Sequence, residues 1–126
     1  MSLEDKFQGK TLLVGITDHY QAPYEIEQKA FGGKAEFINF NSRDENSFSE
    51  EILRKLDVLL VFHARITEKT IKNLHNCKII VRYGVGTDNV DLDALKGFDI
   101  PLCNTPDYGI EEIAATATAH LLNLWR

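Results

Sequence analysis

Short apolar runs alternate with stretches of helical spacing along this chain. Residues 11–17 (TLLVGIT) read as a buried strand. Residues 22–31 follow as a helix, with Pro23 suited to its first turn and Gly32-Gly33 as its stop. Residues 35–40 (AEFINF) form the second strand. Residues 47–56 form the second helix: Phe48, Ile52, Leu53 and Leu56 keep helical spacing, and Ser47 with Glu50 three positions on is a candidate cap. Residues 58–62 (VLLVF) are the third strand, 67–74 a short helix capped by Thr67, and 78–82 the fourth strand. Residues 91–96 are another short helix, with Gly97 after it. Residues 100–103 are the fifth strand, and a last helix runs from about Ile110 to the end.

Strands that are apolar throughout are buried on both faces, which implies a parallel sheet covered by helices. Five such β–α pairs predict an α/β fold, a flavodoxin-like doubly wound parallel sheet of order 2-1-3-4-5, ending in a long C-terminal helix. Sites in such sheets lie beyond the carboxyl ends of the strands. Those ends carry Asp18-His19, Asn41, His63-Ala64-Arg65, residues 82–86 and Asn104-Thr105-Pro106.

Composition narrows the possible functions. At 126 residues and 44% hydrophobic the chain can bury a core of its own and fits one domain. A net charge of −5 argues against nucleic acid and anionic membranes as direct partners. No apolar run approaches the ~20 residues of a membrane span. The polar start MSLEDKFQGK carries no signal peptide, so a cytoplasmic location is expected. Cys77 and Cys103 are far apart and read as reduced, mostly buried thiols. His19, His75 and His120 have no partners at ligand spacing, so no metal site is expected.

The chemistry concentrates in RYGVGTDNVD, residues 82–91. It imitates a dinucleotide-binding turn, which needs glycine at three places: the tight turn, the approach of the pyrophosphate and the packing of the helix. Gly84 and Gly86 supply two, and Asn89 stands where the third belongs. An acid about 20 residues further on should hold the ribose; the one near that spacing, Asp107, lies in an Asn-Thr-Pro loop and not at the end of a clean second strand. A different reading suits the stretch better. Glycines relax the backbone torsions, so consecutive N–H groups around Val85 can turn toward one anion, and the planar fork of Arg82 can pair with a carboxylate there. His63 shares that rim. The plainer alternatives stay open: a simple strand-to-helix turn, a solvated arginine, and a histidine that merely caps the sheet.

RYGVGTDNVDLDAL, then PLCNTP, then GIEEIAATATAHLLNLWR together resemble the amino-terminal, substrate-binding domain of the D-isomer-specific 2-hydroxyacid dehydrogenases. That family includes phosphoglycerate dehydrogenase and the C-terminal-binding-protein corepressors; Phe62-His63, residues 79–82 and the helix from Glu111-Glu112 resemble the corepressor type most. The resemblance implies that the Val85 and Gly86 amides grip the substrate carboxylate. It also implies that His63 and Arg82 line the pocket, and that Val85 and Ile113 touch the cofactor edge. Ile113 stands where relatives often carry Thr, and Val85 where some carry Ser, so both offer packing without a hydroxyl.

The resemblance further implies NAD as cofactor, with NADP left open, a small 2-keto or 2-hydroxy acid as substrate, and a full-length homodimer. On this reading residues 1–109 are the substrate-binding domain and 110–126 a truncated interdomain helix. The cofactor domain and the catalytic Arg, Glu and His are absent, so no catalytic residue is assigned and the chain alone is expected to be inactive. Ile110, Ile113, Ala114, Ala117, Leu121 and Leu124 make an apolar stripe on that helix, with Gly109 as candidate cap. The competing expectation is a stand-alone flavodoxin-like interaction or corepressor-type module without catalysis.

Overall fold

The apolar runs assemble into a five-stranded parallel sheet of order β2-β1-β3-β4-β5 in a computed structural model that describes residues 9–18 and 21–125. His19, Arg126 and the polar start up to Gln8 lie outside the described residues. The strands are β1 (Leu12–Ile16), β2 (Ala35–Asn39), β3 (Val58–Val61), β4 (Ile79–Arg82) and β5 (Leu102–Cys103). The helices are α1 (Glu25–Ala30), α2 (Glu50–Lys55), α3 (Glu68–Ile71), α4 (Leu92–Phe98) and α5 (Ile110–Leu124). The order and the parallel pairing are those expected from the apolar runs.

Alternation along the central strand divides the core. Leu59 and Val61, both fully buried, face a cluster with Leu53, Leu56, Ile71, Ile80 and Leu95, drawn from α2, α3, β4 and α4. Val58 and Leu60 face the opposite cluster, with Leu12, Val14, Ile16 and Ala35, against which Tyr24 and Phe31 beside α1 pack. Burial of each large apolar side chain contributes roughly 1.5–3 kcal/mol, so β3 anchors both layers.

Several helix boundaries differ from expectation. α1 begins after Pro23, because Tyr24 accepts the first helical bond, from Gln28 N–H at 2.8 Å. Pro23 itself follows a cis peptide bond and stands outside the helix. The cap of α2 is Ser49, whose hydroxyl accepts from Ile52 N–H at 3.5 Å. Ser47 instead closes a 3-10 turn, Glu45–Ser47, that Asp44 caps. Gly97 lies inside α4, and Asp99 ends that helix in the left-handed conformation at φ 55°, which Asp tolerates better than most residues. The Thr67 cap of α3 is as expected. Of the thiols, Cys77 is buried but Cys103 is exposed. Burial pushes the Cys77 thiol up to about 11.

α5 is exposed along its whole length. Ile113 is 69% exposed, Leu121 68% and Trp125 92%. The expected stripe is therefore present but packs on no sheet among the described residues. No helix among the described residues is long and apolar enough to cross a membrane.

Candidate functional site

Parallel strands deliver their following loops to one rim, and three loops meet there. Asp18 follows β1, the turn Phe62-His63-Ala64 follows β3, and residues 83–89 follow β4.

The β3 turn is held from both sides. On one side is Asp18, 3% exposed. Its Oδ1 accepts from the Thr17 hydroxyl at 2.7 Å, from His63 N–H at 3.0 Å and from Ala64 N–H at 3.1 Å. Thr17 extends the hold, since its hydroxyl oxygen accepts from Phe62 N–H at 3.3 Å. On the other side is Asn89, whose side-chain amide donates to Ala64 C=O at 2.9 Å and to Phe62 C=O at 3.3 Å. The Asn89 carbonyl accepts from Ile66 N–H at 2.8 Å, and Ile66 bridges Val90 in parallel. Asn89 is thus a tie between two loops rather than a lost glycine.

The glycine turn is built differently from the expected relaxed backbone. Neither Gly84 nor Gly86 has positive φ. Gly84 leaves the space that this pose of Arg82 occupies: a Cβ on it would lie 1.1 Å from Arg82 Nη1. The Arg82 guanidinium lies over Gly84 and donates from Nη1 to Tyr83 C=O at 2.8 Å. Its buried Nε has no partner among the described residues. The turn is fixed from outside by Asn104, which donates to Val85 C=O at 2.8 Å, and by Thr105 N–H, which donates to Gly84 C=O at 3.1 Å. Among the described residues the Val85 and Gly86 amides have no acceptor. Val85 is 51% exposed. Tyr83 braces the turn from behind, its hydroxyl donating to buried Glu27 at 2.9 Å.

The predicted site residues thus fall into two groups. His63, Arg82, Val85 and Gly86 stand on the adjacent exits of β3 and β4. Ile113 lies on α5, exposed, on an open patch with Glu112, Thr116, Ala117 and His120. Sequence reasoning missed Asp18 and Asn89 as organisers. Asp18 could have been suspected from its place at a strand exit, where a buried acid needs several donors. No cluster of His, Cys, Asp and Glu able to hold a metal occurs among the described residues.

Two carboxylates carry the electrostatics of the rim. Burial pushes the Asp18 carboxyl up, but the Thr17 hydroxyl, the His63 and Ala64 amides and the His63 ring hold it, on balance, below the usual 3.8. Glu45 accepts from the Thr67 hydroxyl and amide and from the Thr70 hydroxyl. Burial acts upward there too, and these donors with the Lys69 charge outweigh it, below the usual 4.5. A carboxyl lowered by folding stabilises the fold above its unfolded value and loses that contribution as pH falls through the folded value. Stability should therefore decline below about pH 4.5. Acid titration followed by circular dichroism checks this, and Asp18→Asn with Glu45→Gln should flatten that limb.

Comparison with known proteins adds to the geometry. The family model described as "D-isomer specific 2-hydroxyacid dehydrogenase, catalytic domain" matches residues 14–119. A hydroxypyruvate reductase of Thermotoga maritima is 36% identical over 73 residues, 57% of this chain and 24% of that protein. C-terminal-binding protein 1 of Caenorhabditis elegans is 26% identical over 78 residues, 61% of this chain and 11% of that protein. The chain thus spans less than a quarter of these curated relatives. The crystal structure of D-lactate dehydrogenase from Aquifex aeolicus, complexed with NAD and lactic acid, is similar at a TM-score of 0.72 and 26% identity. That likeness covers 88% of this chain and 33% of the Aquifex aeolicus chain.

Proposed function

Because the chain belongs to the D-isomer specific 2-hydroxyacid dehydrogenase family, we propose that it forms the substrate-binding part of an oxidoreductase for small D-2-hydroxy acids. The observation that carries this reading is the turn after β4. Two amides without acceptors, Val85 and Gly86, share one short loop with the guanidinium of Arg82. A carboxylate needs such donors, and the arginine supplies the countercharge. His63 lines the pocket from the neighbouring strand exit. The similarity to an NAD-bound D-lactate dehydrogenase supports NAD as the cofactor.

The residues present suit the edge of a nicotinamide and not its pyrophosphate. Val85 and Ile113 are exposed and apolar. The helix after the glycine turn, α4, is already capped by the Asp91 carboxylate, which accepts from Ala94 N–H at 2.9 Å. A phosphate there would meet a like charge. In this reading residues 1–109 bind substrate, 110–126 form the interdomain helix, and the cofactor is held by a domain these residues do not form. The bound nicotinamide supplies the hydride chemistry. This chain's own residues hold the substrate carboxylate and orient the 2-carbon. The chain alone is expected to be inactive, the whole protein to be a cytoplasmic homodimer.

Titration of the 126-residue chain with pyruvate tests the reading. The Val85 and Gly86 amide resonances should move and saturate, and Arg82→Lys should weaken binding about fivefold, near 1 kcal/mol, by losing the planar fork. Amides that stay still at saturating pyruvate would overturn it. The second reading, an interaction or corepressor-type module without catalysis, draws on the identity to C-terminal-binding protein 1 and on the exposed apolar residues of α5. It gains if pyruvate leaves the turn untouched.

A further inference from the structure

We infer that Asp18 is a positioning residue, which sets both the backbone and the ring of His63 at the substrate rim. The inference rests on the proposal that His63 lines the substrate pocket. An ionised carboxylate is costly to bury unless donors surround it. Asp18 has them in the Thr17 hydroxyl beside it and the His63-Ala64 turn after β3, and a countercharge in Arg43 after β2. The two backbone amides fix where Cα of His63 sits.

Oδ2 also accepts from His63 N–H, at 3.2 Å, and faces two side chains. It lies 3.4 Å from Arg43 Nε and 3.6 Å from His63 Nδ1. The second distance is an electrostatic contact rather than a hydrogen bond. One oxygen therefore faces a permanent cation and an imidazole, and the ring presents Nδ1 to Asp18. The edge-to-face contact with Phe62, at a centroid distance of 4.2 Å, supports the same ring orientation. A sheet-end acid with a purely structural role would be satisfied by the amides alone. Here the same carboxylate addresses the side chain that would meet substrate.

Among the described residues the charged groups facing the ring from the packed segments include Asp18 and, through it, Arg43, and both can be varied. NMR of the full 126-residue chain reads the outcome. Asp18→Asn keeps the shape and should shift the His63 ring resonances and weaken pyruvate binding about threefold to tenfold, while Asp18→Glu should restore neither fully. His63→Gln should raise the pH at which the Asp18 carboxyl carbon titrates, since the ring's charge no longer favours the carboxylate. That arm keeps the inference open to refutation if Asp18→Asn does not fold. Unmoved His63 ring signals in Asp18→Asn, or an unmoved Asp18 titration in His63→Gln, would overturn the role. If both move but wild-type chain binds no pyruvate, the positioning stands and the substrate reading falls.

Discussion

An Asn89→Gly variant should lose about 2–4 kcal/mol of stability and gain no affinity for a dinucleotide. The substitution completes the glycine spacing of a cofactor turn, so a reading by motif expects the reverse. The loss has two sources. Two carbonyls, Phe62 and Ala64, lose the donor on Asn89, at about 0.5–1.5 kcal/mol for each bond and more where the acceptor stays dry. Glycine adds roughly 0.5–1 kcal/mol of backbone freedom to the unfolded chain. Affinity for the cofactor should not appear, because Asp91 occupies the start of α4. Urea unfolding measures the first effect and calorimetric titration with NAD the second. Unchanged stability, or clear NAD binding, would return the stretch to its first reading as a cofactor turn.

The second large effect is expected at Gly84. In a Gly84→Ala variant the new methyl would sit 1.1 Å from Arg82 Nη1 and 2.4 Å from its Cζ. The guanidinium ends a flexible side chain, so it moves and the backbone stays. Stability should change by less than about 1 kcal/mol. Pyruvate binding should weaken about tenfold to hundredfold, the cost of roughly 1.5–3 kcal/mol for a charge-assisted contact. The observed pose lays the guanidinium on the loop that carries the open Val85 and Gly86 amides, so displacing it separates donors that act together. Equal or tighter binding in Gly84→Ala would mean that Arg82 leaves this pose to meet the substrate. The pair of variants also separates charge from place, since Arg82→Lys keeps a cation and Gly84→Ala keeps the arginine.

Much of the fold was legible because burial on both faces writes itself as uninterrupted apolar runs. β3 is the clearest case, with all four residues buried. Caps were legible where a side chain meets its own helix, as at Thr67. Ser47 misled because Ser49, two residues on, offers the same hydroxyl. Phe48 between them packs on Phe40 at 4.6 Å rather than extending the helix. Position 84 was recognised as needing glycine, but for torsion, whereas what glycine leaves there is room for a side chain two residues back. Asp18 and Asn89 were hardest. Their partners are backbone groups 45 and 25 residues away in sequence, and a bond between a side chain and a distant main chain leaves no periodic trace.

Those distances have a consequence for the order in which the molecule comes together. Side-chain hydrogen bonds from Thr17, Asp18 and Asn89, all in distant segments, hold the turn carrying His63. Its hold on one side is anchored at the end of β1, and on the other in the loop after β4. Contacts between such distant segments form only after loop closure has been met by strand pairing. His63 is therefore placed only once β1, β3 and β4 are in register, and a chain without that register holds every residue of the site without holding the site.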